Sequence, residues 1–127
     1  MAKLEHFAIY AADTIALKDF YVDLMSLRVT MESGTPPGYF LADEAGMAVE
    51  IIPRPAGESA VNQRWVCHVA FWVDQDQYDA VRSNLLARGV TFESDTSVSN
   101  ESMRTDFFND PEGNRVQIVW RQQSIAS

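Results

Sequence analysis

The chain has 127 residues, 46% of them apolar and 22% charged, which fits one globular domain or two half-sized units sharing a core and excludes a disordered chain. Eighteen Asp and Glu against ten Lys and Arg leave a formal net charge of −8, which argues against nucleic acid or an anionic membrane as partner, since both need clustered Lys and Arg. No apolar run is long enough to span a bilayer, the stretch from Met1 to His6 lacks an apolar signal core, and the single cysteine, Cys67, excludes an internal disulfide framework. A cytoplasmic location is the expectation.

In chain order, Leu4–Ala11 reads as a strand with apolar residues on both faces. Asp13 is a natural helix N-cap, and Leu17, Phe20, Tyr21 and Leu24 follow at the i, i+3, i+4, i+7 spacing of a buried helical face. Three extended segments come next, Arg28–Ser33, Gly38–Ala42 and Met47–Ile52, separated by Thr35-Pro36-Pro37-Gly38 and Asp43-Glu44-Ala45-Gly46, both turn formers. The stretch from Pro53 to Ser59 interrupts this pattern as a linker.

The same order then begins again. Trp65–Val73 predicts a strand; Asp74 is placed to cap a helix, with Gln77 completing a capping-box-like pair. Tyr78, Val81, Leu85 and Leu86 supply its buried face and Gly89 its stop. Val90–Ser94, Met103–Asn109 and Asn114–Arg121 are the three strands that follow, the last two joined by the turn Asp110-Pro111-Glu112-Gly113. The expectation is an α+β fold in which a βαβββ unit is used twice, about 4–53 and about 64–121, within a single domain spanning 1–127. Neither unit is large enough to bury a good core alone.

The repeat allows positions to be compared. The only two histidines, His6 and His68, fall at matching places in the first strand of each unit, and Glu50 and Gln117 at matching places in the last. Side chains alternate across a strand, so Val49 and Ile51 face away from Glu50, and Val116 and Ile118 away from Gln117. With helices over the aliphatic side, His6, Glu50, His68 and Gln117 are expected on the other, concave face. Two imidazoles, a carboxylate and an amide oxygen suit a divalent transition metal, with Zn, Ni, Mn and Fe all fitting. Tyr10 and Trp72 stand four residues beyond the histidines on the same strand faces, and Tyr39 and Arg104 are expected to reach in from neighbouring strands. Such a lining suits a small, partly apolar ligand. Cys67, opposite to His68 by alternation, reads as a small core residue, and Asp74, Asp76 and Asp79 as a cap and a solvated face.

The doubled pattern, with Asp110-Pro111-Glu112-Gly113-Asn114 leading into Arg115-Val116-Gln117-Ile118-Val119, resembles the vicinal oxygen chelate superfamily from Leu4 to about Arg121. Members include glyoxalase I, bleomycin-resistance proteins, fosfomycin-resistance enzymes, methylmalonyl-CoA epimerase and extradiol dioxygenases. The resemblance implies a cupped sheet with helices outside, a homodimer, and metal ligands at His6, Glu50, His68 and Gln117. Departures matter as well. Bacterial glyoxalase I, fosfomycin-resistance enzymes and extradiol dioxygenases end with Glu where this chain has Gln117, and an amide cannot accept a proton. Glyoxalase I also tends to carry an Arg where Tyr10 stands.

Two classes of function follow. One is a glyoxalase-like lyase or isomerase in which a metal chelates adjacent substrate oxygens and Glu50 is the base; Fe(II)-dependent dioxygenase chemistry fits the same ligands. The other is a metal-free protein of the bleomycin-resistance type that sequesters a small molecule. Position 50 separates them, since a binder needs no carboxylate there.

Overall fold

The alternation in His6-Phe7-Ala8-Ile9-Tyr10-Ala11 becomes strand β1 (His6–Ala11), with Ile9 and Ala11 buried and His6 and Ala8 exposed. The computed structural model describes residues 4–59 and 68–125; Cys67 and the start of the strand expected over 65–73 lie outside them. The chain divides into two units, Met1–Val61 and Asn62–Ser127, and each repeats β, α, β, β, β.

In the first unit Asp13 caps helix α1 (Thr14–Met25), its carboxylate accepting from Ala16 N–H at 3.0 Å. Leu17, Phe20 and Tyr21 are buried as their spacing requires. Strands β2 (Arg28–Ser33), β3 (Gly38–Ala42) and β4 (Ala48–Pro53) complete a four-stranded mixed sheet of order β1-β4-β3-β2, with β1 parallel to β4. Helix α1 packs on β3 and β4, covering Leu41, Val49 and Ile51. Each fully buried aliphatic side chain contributes about 1.5–3 kcal/mol.

The second unit has the same plan. Strands β5 (Val69–Trp72), β6 (Val98–Ser99), β7 (Met103–Asn109) and β8 (Arg115–Arg121) form a sheet of order β5-β8-β7-β6, again with the first strand parallel to the last. Helix α2 spans Tyr78–Ala87, and Tyr78, Leu85, Phe108, Val116 and Ile118 are fully buried. Both helices are too short to cross a membrane.

Three local expectations are corrected. Asp74 does not cap α2: a tight turn comes first, with Gln77 N–H donating to Asp74 C=O at 3.0 Å, and the Asp74 carboxylate accepts from Trp72 Nε1 at 2.9 Å. The helix therefore starts at Tyr78 with Gln77 at the N-cap position and no side-chain cap. That start leaves Leu86 48% exposed, off the buried face. The segment 90–94 forms no strand and makes a single bridge, Phe92 to Phe108; its Glu93 carboxylate takes Arg115 and the Thr96 hydroxyl, and β6 occupies the sheet edge beyond it.

The turn before β8 shows why its sequence is specific. Asp110 Oδ1 accepts from the backbone N–H of Glu112 and of Asn114, both at 2.9 Å, and Asn114 Nδ2 donates to Oδ2 at 2.9 Å. Gly113 adopts φ +84°, which a side chain would oppose.

Candidate functional site

In the first unit the register sets Ala8 and Phe40 on either side of Glu50. Glu50 therefore leaves the sheet opposite to Val49 and Ile51, on the side away from α1. His6, two residues before Ala8, shares that side, and its ring meets Phe40 edge-on at 5.3 Å. Its Nδ1 lies 2.7 Å from Glu5 Oε1, and its Nε2 stands 3.5 Å from Glu50 Oε1. In the neutral imidazole the bond to Glu5 puts the proton on Nδ1 and leaves the Nε2 lone pair facing the carboxylate. Nε2 is thus the ring nitrogen turned to the Glu50 carboxylate.

The second unit repeats this geometry. Ala70 and Phe107 flank Gln117 in register, and His68, two residues before Ala70, meets Phe107 edge-on at 5.1 Å. The histidine, the alanine, the polar residue and the phenylalanine thus correspond one to one between units. The polar position differs in burial. Gln117 is 7% exposed, and its Nε2 donates to Thr105 Oγ1 at 2.8 Å, which in turn donates to Ile118 C=O at 2.9 Å. Arg115, on the same face, lies 4.1 Å over the Phe107 ring and is held by Glu93 through bonds of 2.8 and 2.9 Å. Those bonds raise its pKa, ahead of the opposing effect of burial.

Tyr10 and Trp72 keep the strand parity of His6 and His68; Trp72 is 49% exposed. The structure brings neither Tyr39 nor Arg104 to these faces, because alternation turns both toward the helices. Tyr39 pairs with Ile51 and lies under Lys18 of α1 at 5.6 Å, and burial, then a hydrogen bond to Glu32, raise its pKa. Arg104 lies 4.2 Å over the Tyr78 ring and pairs with Asp79 at 2.9 Å. There it lines a polar cleft of about 390 Å³ with Arg82, Ser97 and Asp106, on the opposite side of the sheet from Gln117.

Phe40, Phe107, Thr105, Arg115 and Glu5 were not singled out by the sequence. The signal for the two phenylalanines was present, at matching places in the third strand of each unit. Thr105 and Arg115 have no counterpart in the first unit, where Gly38 and Ala48 stand at those places, so the repeat could not flag them.

The donor set fits a divalent cation. Two ligand atoms about 2.0–2.2 Å from a tetrahedral zinc stand roughly 3.4 Å apart, and His6 Nε2 and Glu50 Oε1 are already at 3.5 Å. Among the described residues no three His, Cys, Asp or Glu side chains form a metal-holding group.

The family model of the Glyoxalase/Bleomycin resistance protein/Dioxygenase superfamily matches residues 3–118. No curated protein sequence matches the chain. Solved structures of the same fold include a glyoxalase/dioxygenase from Nostoc punctiforme, with 17% identity, 95% of this chain and 92% of that chain covered, and a TM-score of 0.80. A fosfomycin resistance protein, FosX, from Listeria monocytogenes, solved with Mn(II) and sulfate, has 16% identity, 98% and 93% coverage and a TM-score of 0.77. TnmS3, an antibiotic binding protein from Streptomyces sp. CB03234, has 19% identity, 98% coverage of each chain and a TM-score of 0.72.

Proposed function

Because the chain belongs to the Glyoxalase/Bleomycin resistance protein/Dioxygenase superfamily, we propose that it is a metal-dependent lyase or isomerase of the glyoxalase type, working as a cytoplasmic homodimer on a small oxygenated substrate. The observation that carries this reading is the His6–Glu50 pair, an imidazole nitrogen and a carboxylate oxygen 3.5 Å apart on the sheet face away from α1. His6, Glu50, His68 and Gln117 are the proposed ligands for Zn, Ni, Mn or Fe. The cation supplies Lewis-acid stabilisation of charge developing on adjacent substrate oxygens.

The chain's own residues do the rest. Glu50 is the one carboxylate of the four and the group that takes a proton from the substrate; Gln117 cannot. Glu5 fixes the His6 tautomer through Nδ1. Phe40 and Phe107 pack edge-on against the two imidazoles, and Tyr10 and Trp72 offer aromatic surface to the substrate. A panel of 2-oxoaldehyde thiol adducts and catechols, offered to protein loaded with each metal, tests the reading. Turnover that disappears in Glu50→Gln supports it, and turnover unchanged in that variant removes Glu50 as the base.

The half-exposed Trp72, its indole N–H held by Asp74, favours a second reading: sequestration of an aromatic or glycopeptide antibiotic without metal. Ligand-induced quenching of tryptophan fluorescence in metal-free protein, lost in Trp72→Ala, is the result that reading requires.

A further inference from the structure

An amide side chain offers an oxygen at one end and a nitrogen at the other, so Gln117 can serve a cation only if its orientation is set. We propose that Thr105 is the positioning residue that sets it, holding Gln117 with Oε1 outward as a fixed oxygen donor of the second unit. This rests on the metal-dependent reading above.

The orientation follows from counting protons. The Thr105 hydroxyl has a single proton, and it goes to Ile118 C=O at 2.9 Å. Toward Gln117 it therefore has only lone pairs, and the amide atom 2.8 Å away must be the one carrying protons, Nε2. The flipped amide would set two acceptors against each other. Thr105 is 3% exposed, so water cannot easily replace either partner, and the bond is stronger for its low-dielectric surroundings. The opposite end is free: no described residue donates to Oε1, yet no buried side-chain polar atom among the described residues lacks a partner. Oε1 therefore reaches solvent, on a residue otherwise 7% exposed.

The first unit supports the same logic by contrast. Phe40 and Phe107 correspond, so Gly38 occupies the place of Thr105, two residues earlier in the strand. Glu50 needs no lock, because a carboxylate presents oxygen in either orientation. The lock stands in the unit that has the amide and is missing from the one that has the carboxylate.

The test compares wild type, Thr105→Val and Thr105→Ser by NMR of the Gln117 side-chain amide and by calorimetric titration with Zn²⁺ alone. In metal-free wild type and Thr105→Ser, the Nε2 protons should exchange slowly and show a nuclear Overhauser contact to residue 105. In Thr105→Val that protection should vanish and Zn²⁺ affinity should fall about tenfold, the usual loss when a partner orienting a ligand is removed. Equal protection and equal affinity in all three proteins would overturn the proposal, and rescue by serine separates positioning from packing. If wild type binds no Zn²⁺, the metal reading fails by itself, and the amide exchange comparison still decides the role of Thr105.

Discussion

His6 Nε2 faces Glu50 Oε1 across 3.5 Å, while Nδ1 of the same ring is engaged by Glu5 at 2.7 Å. The two strands that carry the pair are parallel neighbours, with Ala48 beside His6 and Ala8 beside Glu50 in register. His6 and Glu50 would hold a cation on this face of the sheet.

Replacing Glu50 by Gln keeps the shape and removes the charge. Metal affinity should fall by about tenfold or more, and turnover by about 10²- to 10⁴-fold, the range for a lost general base. Thermal unfolding of the metal-free protein should change little, because Glu50 is partly solvent-exposed. Calorimetry with steady-state kinetics checks both numbers.

Tyr78 predicts an alkaline limb of stability. Its hydroxyl donates to the buried Asp106 carboxylate at 2.9 Å, and burial, then Asp106, raise the phenol pKa above its ordinary value of 10.0. The folded chain thus holds the proton more tightly than the unfolded one. The stability this contributes is complete below pH 10.0 and declines as pH rises beyond it. Tyr78→Phe should cost about 1–3 kcal/mol at neutral pH, and the gap to wild type should narrow above pH 10.0 in urea unfolding curves. A gap that stays constant contradicts this account of Tyr78.

Asp110 organises the turn that aims β8, and with it Gln117. Asp110→Ala removes the carboxylate that accepts from the N–H groups of Glu112 and Asn114 and from the Asn114 amide. A loss of about 2–4 kcal/mol is expected from removing several hydrogen bonds to one charged acceptor, measured by chemical denaturation. Pro111→Ala, outside this network, should change stability by no more than about 1 kcal/mol.

Much of the molecule was legible because its patterns are local. Asp13 followed by Leu17, Phe20 and Tyr21 gave α1, and strict alternation placed Glu50 and Gln117 opposite their aliphatic neighbours. The repeat alone pairs His6 with His68. The failures have tertiary causes. Nothing near residues 90–94 announces that Glu93 is claimed by Arg115, 22 positions away. Tyr39 and Arg104 look available to a ligand until alternation is carried through their own strands, which turns them under α1 and α2. Thr105 is an ordinary strand residue by sequence, and its meaning comes from a hydroxyl proton already committed to Ile118.

A bound divalent cation is the central requirement of the proposed function. Protein purified without chelators should carry close to one first-row divalent ion per chain by mass spectrometry, or take one up from Zn, Ni, Mn or Fe, with the ion lost in His6→Ala. Less than about a tenth of an ion per chain, with no gain on reloading, would contradict it.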